Sequence, residues 1–145
     1  MNTFQKWYSI IRSQITYLVW AVVCVLFVLP VYCLSLLPAG VRYDNRLFYF
    51  LTSWWCRLLF WTGGIRVRVQ GKENLPKDPS VLVMNHASAL DIFVIEQILG
   101  TYPRIWMSKM SYKAIPLFST ILQRMHVLVD IANARAAARS LAKMV

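Results

Sequence analysis

The sequence predicts an α/β domain behind an N-terminal membrane helix or hairpin. Three observations carry that expectation. A charge-free apolar run of 23 residues extends from Ile15 to Leu37. Beyond Gly63-Gly64, short apolar runs that suit strands alternate with segments that are apolar at helical spacing. The chain of 145 residues is 58% hydrophobic with a mean hydropathy of +0.48, above the apolar share of about 45–50% usual in soluble domains. The organisation expected is an anchor over residues 1–62 and a folded domain, with a mixed and partly parallel sheet, over residues 63–145.

The apolar run is long enough to cross a bilayer, which takes about 20 such residues. Lys6 and Arg12 precede it, Arg42 and Arg46 follow it, and Trp7, Tyr8, Tyr17, Trp20, Tyr32 and Tyr43 flank its ends as interfacial anchors do. A cleaved signal peptide has a shorter core and a small-residue cleavage site, and Leu36-Leu37-Pro38-Ala39-Gly40 is a poor one. A retained anchor is the better reading. Pro30 is expected either to kink the helix or to turn it back within one leaflet. Leu47 to Trp61, whose one charge is Arg57, reads as a return helix or one lying in the interface. Positive charge at both ends leaves span and hairpin equally open.

Sixteen Lys and Arg stand against six acids, a formal charge of +10. Such a charge draws the chain to anionic surfaces. The cations are scattered singly, with no basic arm and no zinc-finger, RNP or helix-turn-helix pattern, so anionic lipid is the expected partner and nucleic acid is not. Cys24, Cys33 and Cys56 form no C-x-x-C and are odd in number, so neither a disulfide framework nor a zinc site is expected.

In the second part, Ile65 to Gln70 alternates apolar and polar residues as a half-exposed strand does, and Gly71 to Pro79 is a polar loop. Ser80 to Met84 suits a short buried strand, Asn85 to Ala89 a turn, and Asp91 to Leu99 a helix stopped by Gly100. Arg104 to Lys109 suits a third strand, Tyr112 to Arg124 a helix, and His126 to Asp130 a fourth strand. Asn133 is placed to cap a last helix running to Val145. A chain ending inside that helix reads as cut short.

Chemistry concentrates in Asn85-His86-Ala87-Ser88-Ala89-Leu90-Asp91, where a strand ends and a helix begins. Ligands of open α/β sheets gather at such strand ends. On one continuous helix, positions five apart do not face each other. With His86 ahead of the helix, the chain can fold back and the Asp91 carboxylate can reach one imidazole nitrogen, leaving the other as a base. No protein nucleophile is needed if the substrate brings its own hydroxyl. Ser88-x-x-Asp91 equally fits a helix-capping box, with Asp91 serving only the helix N-terminus, so a structural role stays open at this level. Asn85 either orients His86 or caps the turn. His126, with no carboxylate near it in sequence, reads as structural.

Asn85-His86-x-x-x-x-Asp91 after Val81-Leu82-Val83-Met84 resembles the first motif block of the glycerolipid acyltransferases, and within them the bacterial lysophosphatidic acid acyltransferases. Ile65-Arg66-Val67-Arg68-Val69 with Gly71 before Glu73-Asn74-Leu75-Pro76, and Lys109 to Phe118 with Ile115-Pro116-Leu117-Phe118, resemble the family's next landmarks. The likeness covers about residues 10–140. It implies a fatty acyl transfer from acyl-CoA or acyl carrier protein, a co-substrate rather than a cofactor, to the free hydroxyl of a lysophospholipid. His86 would be the general base and Asp91 its partner, with no metal and no acyl-enzyme. It also implies a bacterial inner membrane with the domain facing the cytoplasm.

The sequence departs from the family in two places. The second block ends in an acid followed by Arg, which helps hold the acceptor phosphate; here Ile131 follows Asp130. Arg135, one helical turn on, is the candidate substitute. The third block, Phe-Pro-Glu-Gly-Thr-Arg, is expected beyond the helix at Asn133 and is not in the chain. Lys109 and Lys113 are candidates for phosphate contact. Two rival readings follow: a non-catalytic membrane-binding module, and a hydrolase using the same His86 and Asp91 on water.

Overall fold

The computed structural model describes residues 2–142. Among the described residues, six α-helices and two short strands follow one another: α1 (Thr3–Ser35), α2 (Ala39–Arg42), α3 (Arg46–Thr62), α4 (Leu90–Leu99), β1 (Met107–Lys109), α5 (Phe118–Met125), β2 (Val127–Val129) and α6 (Ala134–Leu141). The architecture is mixed α/β, helix-rich, with β1 and β2 parallel and Ser108 opposite Leu128.

α1 is long and apolar enough to cross a membrane by length and composition. It continues through Pro30 to Ser35, so the chain does not turn back inside the apolar run. Leu18, Val22, Leu26 and Leu29 on it are exposed. α3 supplies the helix expected between Leu47 and Trp61.

The chain divides into two compact units. The first comprises residues 1–24 and 52–100. In it the Trp20 indole donates to Thr62 Oγ1 at 3.1 Å, and Thr62 passes its own proton to the Leu58 carbonyl at 2.7 Å. The Phe60 and Phe93 rings lie 6.1 Å apart, and Gln97 Nε2 donates to the Cys56 carbonyl at 3.5 Å. These contacts seat α4 on the C-terminal half of α3. Gly100 ends α4 with a φ of +59°, a conformation that L side chains rarely adopt.

The second unit comprises residues 25–51 and 101–145. Its core is Val31, Phe48, Tyr49, Ile121 and Met125. Arg124 closes the end of α1: its Nε donates to the Ser35 carbonyl at 2.7 Å and its Nη2 to the Leu36 carbonyl at 3.1 Å. The last carbonyls of a helix have no intrahelical donor, and a cation suits that end of the dipole. Arg124→Met removes these charge-assisted bonds and leaves the carbonyls unanswered. It is expected to cost about 1–3 kcal/mol, read as a lower midpoint in chemical denaturation.

Two expected strands are absent. Ile65 to Gln70 and Ser80 to Met84 are irregular, and no backbone ladder joins them to a neighbour among the described residues. Val81 and Val83 are 89% and 90% exposed, so Ser80 to Met84 is not the buried strand its composition suggested. A strand is defined by the partner that takes its N–H and C=O groups, and apolar side chains alone do not supply one. The third and fourth expected strands shorten to β1 and β2.

The helix expected over Tyr112 to Arg124 is broken in two. Met110–Ala114 forms a 3₁₀ turn, and α5 begins only at Phe118. Pro116 holds Ile115 extended, at φ −87° and ψ 114°. Leu117 then takes a φ of +60°, and the Phe118 N–H closes onto the Pro116 carbonyl. The last helix starts as expected: Asn133 Oδ1 accepts from the Ala136 N–H at 3.1 Å. Its expected course over residues 143–145 lies outside the described residues.

Candidate active site

The turn at residues 85–90 exists because Asp91 reaches back over it. One oxygen of its carboxylate, Oδ2, accepts from the Ala87 N–H and the Ser88 N–H, both at 2.9 Å. The Asp91 N–H donates to the Ser88 carbonyl at 3.0 Å, and the Leu90 N–H to Ser88 Oγ at 3.2 Å. Ser88 and Asp91 thus tie the turn to the start of α4, though not as the box their spacing suggested: Ser88 Oγ accepts from Leu90 instead of Asp91, and the residue before α4 is Ala89. The same Oδ2 lies 3.2 Å from His86 Nδ1.

The fold of the turn and the contact to His86 are therefore one arrangement. Two backbone amides fix the carboxylate, and the fixed carboxylate holds the imidazole. A carboxylate at Nδ1 favours the tautomer with its proton there, which leaves a lone pair on Nε2. The His86 side chain is 52% exposed, so a substrate hydroxyl has access to the ring.

The amide of Ser88, chiefly, holds the Asp91 carboxyl below its ordinary value of 3.8; burial opposes this, and the Ala87 amide and His86 add to it. A carboxyl with a lowered folded pKa contributes stability that is present above the unfolded value and lost as pH falls through the folded one. The cap is therefore expected to hold at pH 3.8 and to release below it. The amide proton shifts of Ala87 and Ser88, followed by NMR during acid titration, should report a midpoint under 3.8. A midpoint at or above that value contradicts the geometry.

The other expected residues fall as follows. Asn85 is exposed, and among the described residues its side chain bonds neither His86 nor the turn. Lys109 closes β1, Lys113 lies in the 3₁₀ turn after it, and both are exposed. Arg135 is exposed in the first turn of α6. These three belong to the second unit, His86 and Asp91 to the first. Ile131 is 70% exposed, and Asp130 Oδ1 accepts from the Ala132 N–H at 3.0 Å. His126 is structural, as expected: its Nδ1 accepts from the Trp106 N–H at 3.3 Å beside the bond from the Val127 N–H to the Trp106 carbonyl. Sequence reasoning missed the backbone amides of Ala87 and Ser88 as groups that position Asp91. The Ser88-x-x-Asp91 spacing was the signal that pointed to them.

A family model described as Acyltransferase matches residues 66–145, more than half of the chain. The chain is similar to a 1-acyl-sn-glycerol-3-phosphate acyltransferase of Pseudomonas aeruginosa, 27% identical over 113 residues, which cover 74% of this chain and 41% of that protein. It is also similar to a protein of the same name from Borreliella burgdorferi, 30% identical over 102 residues, which cover 69% of this chain and 40% of the relative. The chain thus spans about two fifths of the length of the curated relatives it matches. No solved structure matches it.

Proposed function

The chain belongs to the acyltransferase family, and on that footing we propose that it transfers a fatty acyl group from a thioester to the free hydroxyl of a lysophospholipid. The thioester is acyl-CoA or acyl carrier protein, and the acceptor is 1-acyl-glycerol-3-phosphate, giving phosphatidate. The observation that carries the chemistry is the 3.2 Å contact between His86 Nδ1 and an Asp91 carboxylate already fixed by two amides.

The acceptor hydroxyl gives its proton to His86 Nε2 as its oxygen attacks the thioester carbonyl. Asp91 stabilises the imidazolium that forms. The tetrahedral intermediate collapses with cleavage of the C–S bond, and the imidazolium returns the proton to the departing thiolate. No covalent acyl-enzyme and no metal enter this sequence. Asn85, Lys109, Lys113 and Arg135 are the proposed contacts to substrate, the cations to phosphate.

We place residues 1–62 in the membrane as an anchor and residues 63–145 as part of the acyltransferase domain, at a bacterial inner membrane and facing the cytoplasm. The uncharged run of α1 from Ile15 onward supports the anchor, and a lipid acceptor and product, both resident in the bilayer, give it a purpose.

The acceptor is the least constrained part, because Ile131 stands where the family places an Arg. Product formation from acyl-CoA with lysophosphatidate and with lysophosphatidylcholine distinguishes the readings. Preference for lysophosphatidate is the expected result. Equal use of both overturns the assigned acceptor while leaving acyl transfer intact.

A further inference from the structure

A cleft of about 380 Å³ lies along the N-terminal part of α1, across the start of its uncharged run. Tyr8, Arg12, Tyr17 and Trp20 form one side of it, Gly63 and Ile65 the other. It shares no residue with the His86–Asp91 site. Its walls are set by packing already described: the Trp20 indole is pinned to Thr62, and the Tyr17 ring meets it edge to face at 6.3 Å.

The two glycines let the chain close on this face. A Cβ at Gly63 would stand 3.0 Å from the Trp20 ring, and one at Gly64 would stand 3.5 Å from the Arg12 guanidinium. Gly64 also has a φ of +74°, which favours glycine.

Arg12 is the cation of the cleft, and among the described residues its side chain makes no hydrogen bond or ion pair. The aliphatic hydroxyls of the cleft do not compete as donors. Ser9, Ser13 and Thr16 spend their protons on the carbonyls of Lys6, Ser9 and Arg12. An anion in the cleft is therefore recognised by the guanidinium, whose planar fork suits a phosphate.

Depth argues for the source of that anion. Arg12 lies three residues, about 4.5 Å of helix, outside the first residue of the uncharged run. With that run in hydrocarbon, Arg12 stands at the level of the lipid phosphates, and Tyr8, Tyr17 and Trp20 stand where interfacial aromatics do.

We propose that this cleft holds the phosphate of a membrane glycerophospholipid on Arg12, with the aromatic rings against its glycerol and upper acyl carbons. The proposal rests on the placement of α1 in the membrane. It makes the anchor selective for anionic lipid, since the ammonium of a choline headgroup competes with the guanidinium for its own phosphate.

The test uses the full chain in phosphatidylcholine vesicles containing phosphatidylglycerol. Flotation reports insertion. Spin-labelled lipids report the preference of the protein's lipid shell for phosphatidylglycerol over phosphatidylcholine. Arg12→Gln is expected to lower that preference about fivefold, as loss of one interfacial cation does, with flotation unchanged. Arg66→Gln, an exposed cation outside the cleft, should leave both unchanged. An undiminished preference in an Arg12→Gln protein that still floats overturns the cleft proposal alone. Failure of the unaltered chain to float removes the membrane placement and the proposal with it. Displacement of the labelled lipid by inorganic phosphate would assign the cleft to a soluble anion and overturn its membrane source.

Discussion

His86→Ala is expected to lower acyl transfer by about 10²- to 10⁴-fold, the usual contribution of a positioned general base. An alcohol is a weak nucleophile at neutral pH, and the proposed mechanism gives it no other group to take its proton. The variant also tests whether His86 is merely structural. Its ring is half-exposed and its contact is to Asp91, while the Asp91 carboxylate keeps its bonds from Ala87 and Ser88 without it. The turn should therefore survive, with unchanged circular dichroism and unchanged membrane association, as the rate collapses. Equal loss of helix content and rate would instead mean that His86 serves the fold.

Asp91→Asn is the sharper of the two. An asparagine at this position still offers an oxygen to the Ala87 and Ser88 amides. It removes the charge that selects the His86 tautomer and stabilises the imidazolium. The expected loss is again about 10²- to 10⁴-fold in kcat, with KM for the thioester little changed, because Asp91 acts through His86. Asp91→Ala should lose the same rate and, in addition, loosen the turn ahead of α4, since the Ala87 and Ser88 amides lose their acceptor. A variant Asp91→Asn with near-native kcat would show that the carboxylate is a cap and nothing more.

Both variants target a stretch whose geometry was legible in the sequence. Four residues between His86 and Asp91, spanning a turn and then a helix start, left the carboxylate free to fold back, and it does. α4 was legible for a similar local reason: Asp91 opens it and Gly100 stops it. Asn133 announced α6 in the same way. These features are fixed by atoms within one or two turns of each other.

Features set by distant partners were not legible. Ser80 to Met84 has the composition of a buried strand, yet no residue in it specifies a neighbour to hydrogen-bond with. Arg124 looked like an ordinary basic residue near the end of a helix, but it closes α1, whose carbonyls lie 87–89 positions earlier. Pro116 marked a break near α5, but only the backbone shows that Leu117 takes the left-handed turn that delays the helix. The capping and catalytic readings of Asp91 were set against each other on sequence grounds. In the structure a single carboxylate oxygen meets both the turn amides and the His86 ring.

In the proposed reaction His86, held by Asp91, activates the hydroxyl of a lipid acceptor. The most direct measurement is thiol release from acyl-CoA by membranes carrying the protein, with and without lysophosphatidate, beside His86→Ala. The expected release requires the acceptor, matches phosphatidate formed, and disappears in the variant. Release that proceeds equally without lysophosphatidate would identify a thioester hydrolase, and acceptor-dependent release that persists in His86→Ala would contradict the assigned base.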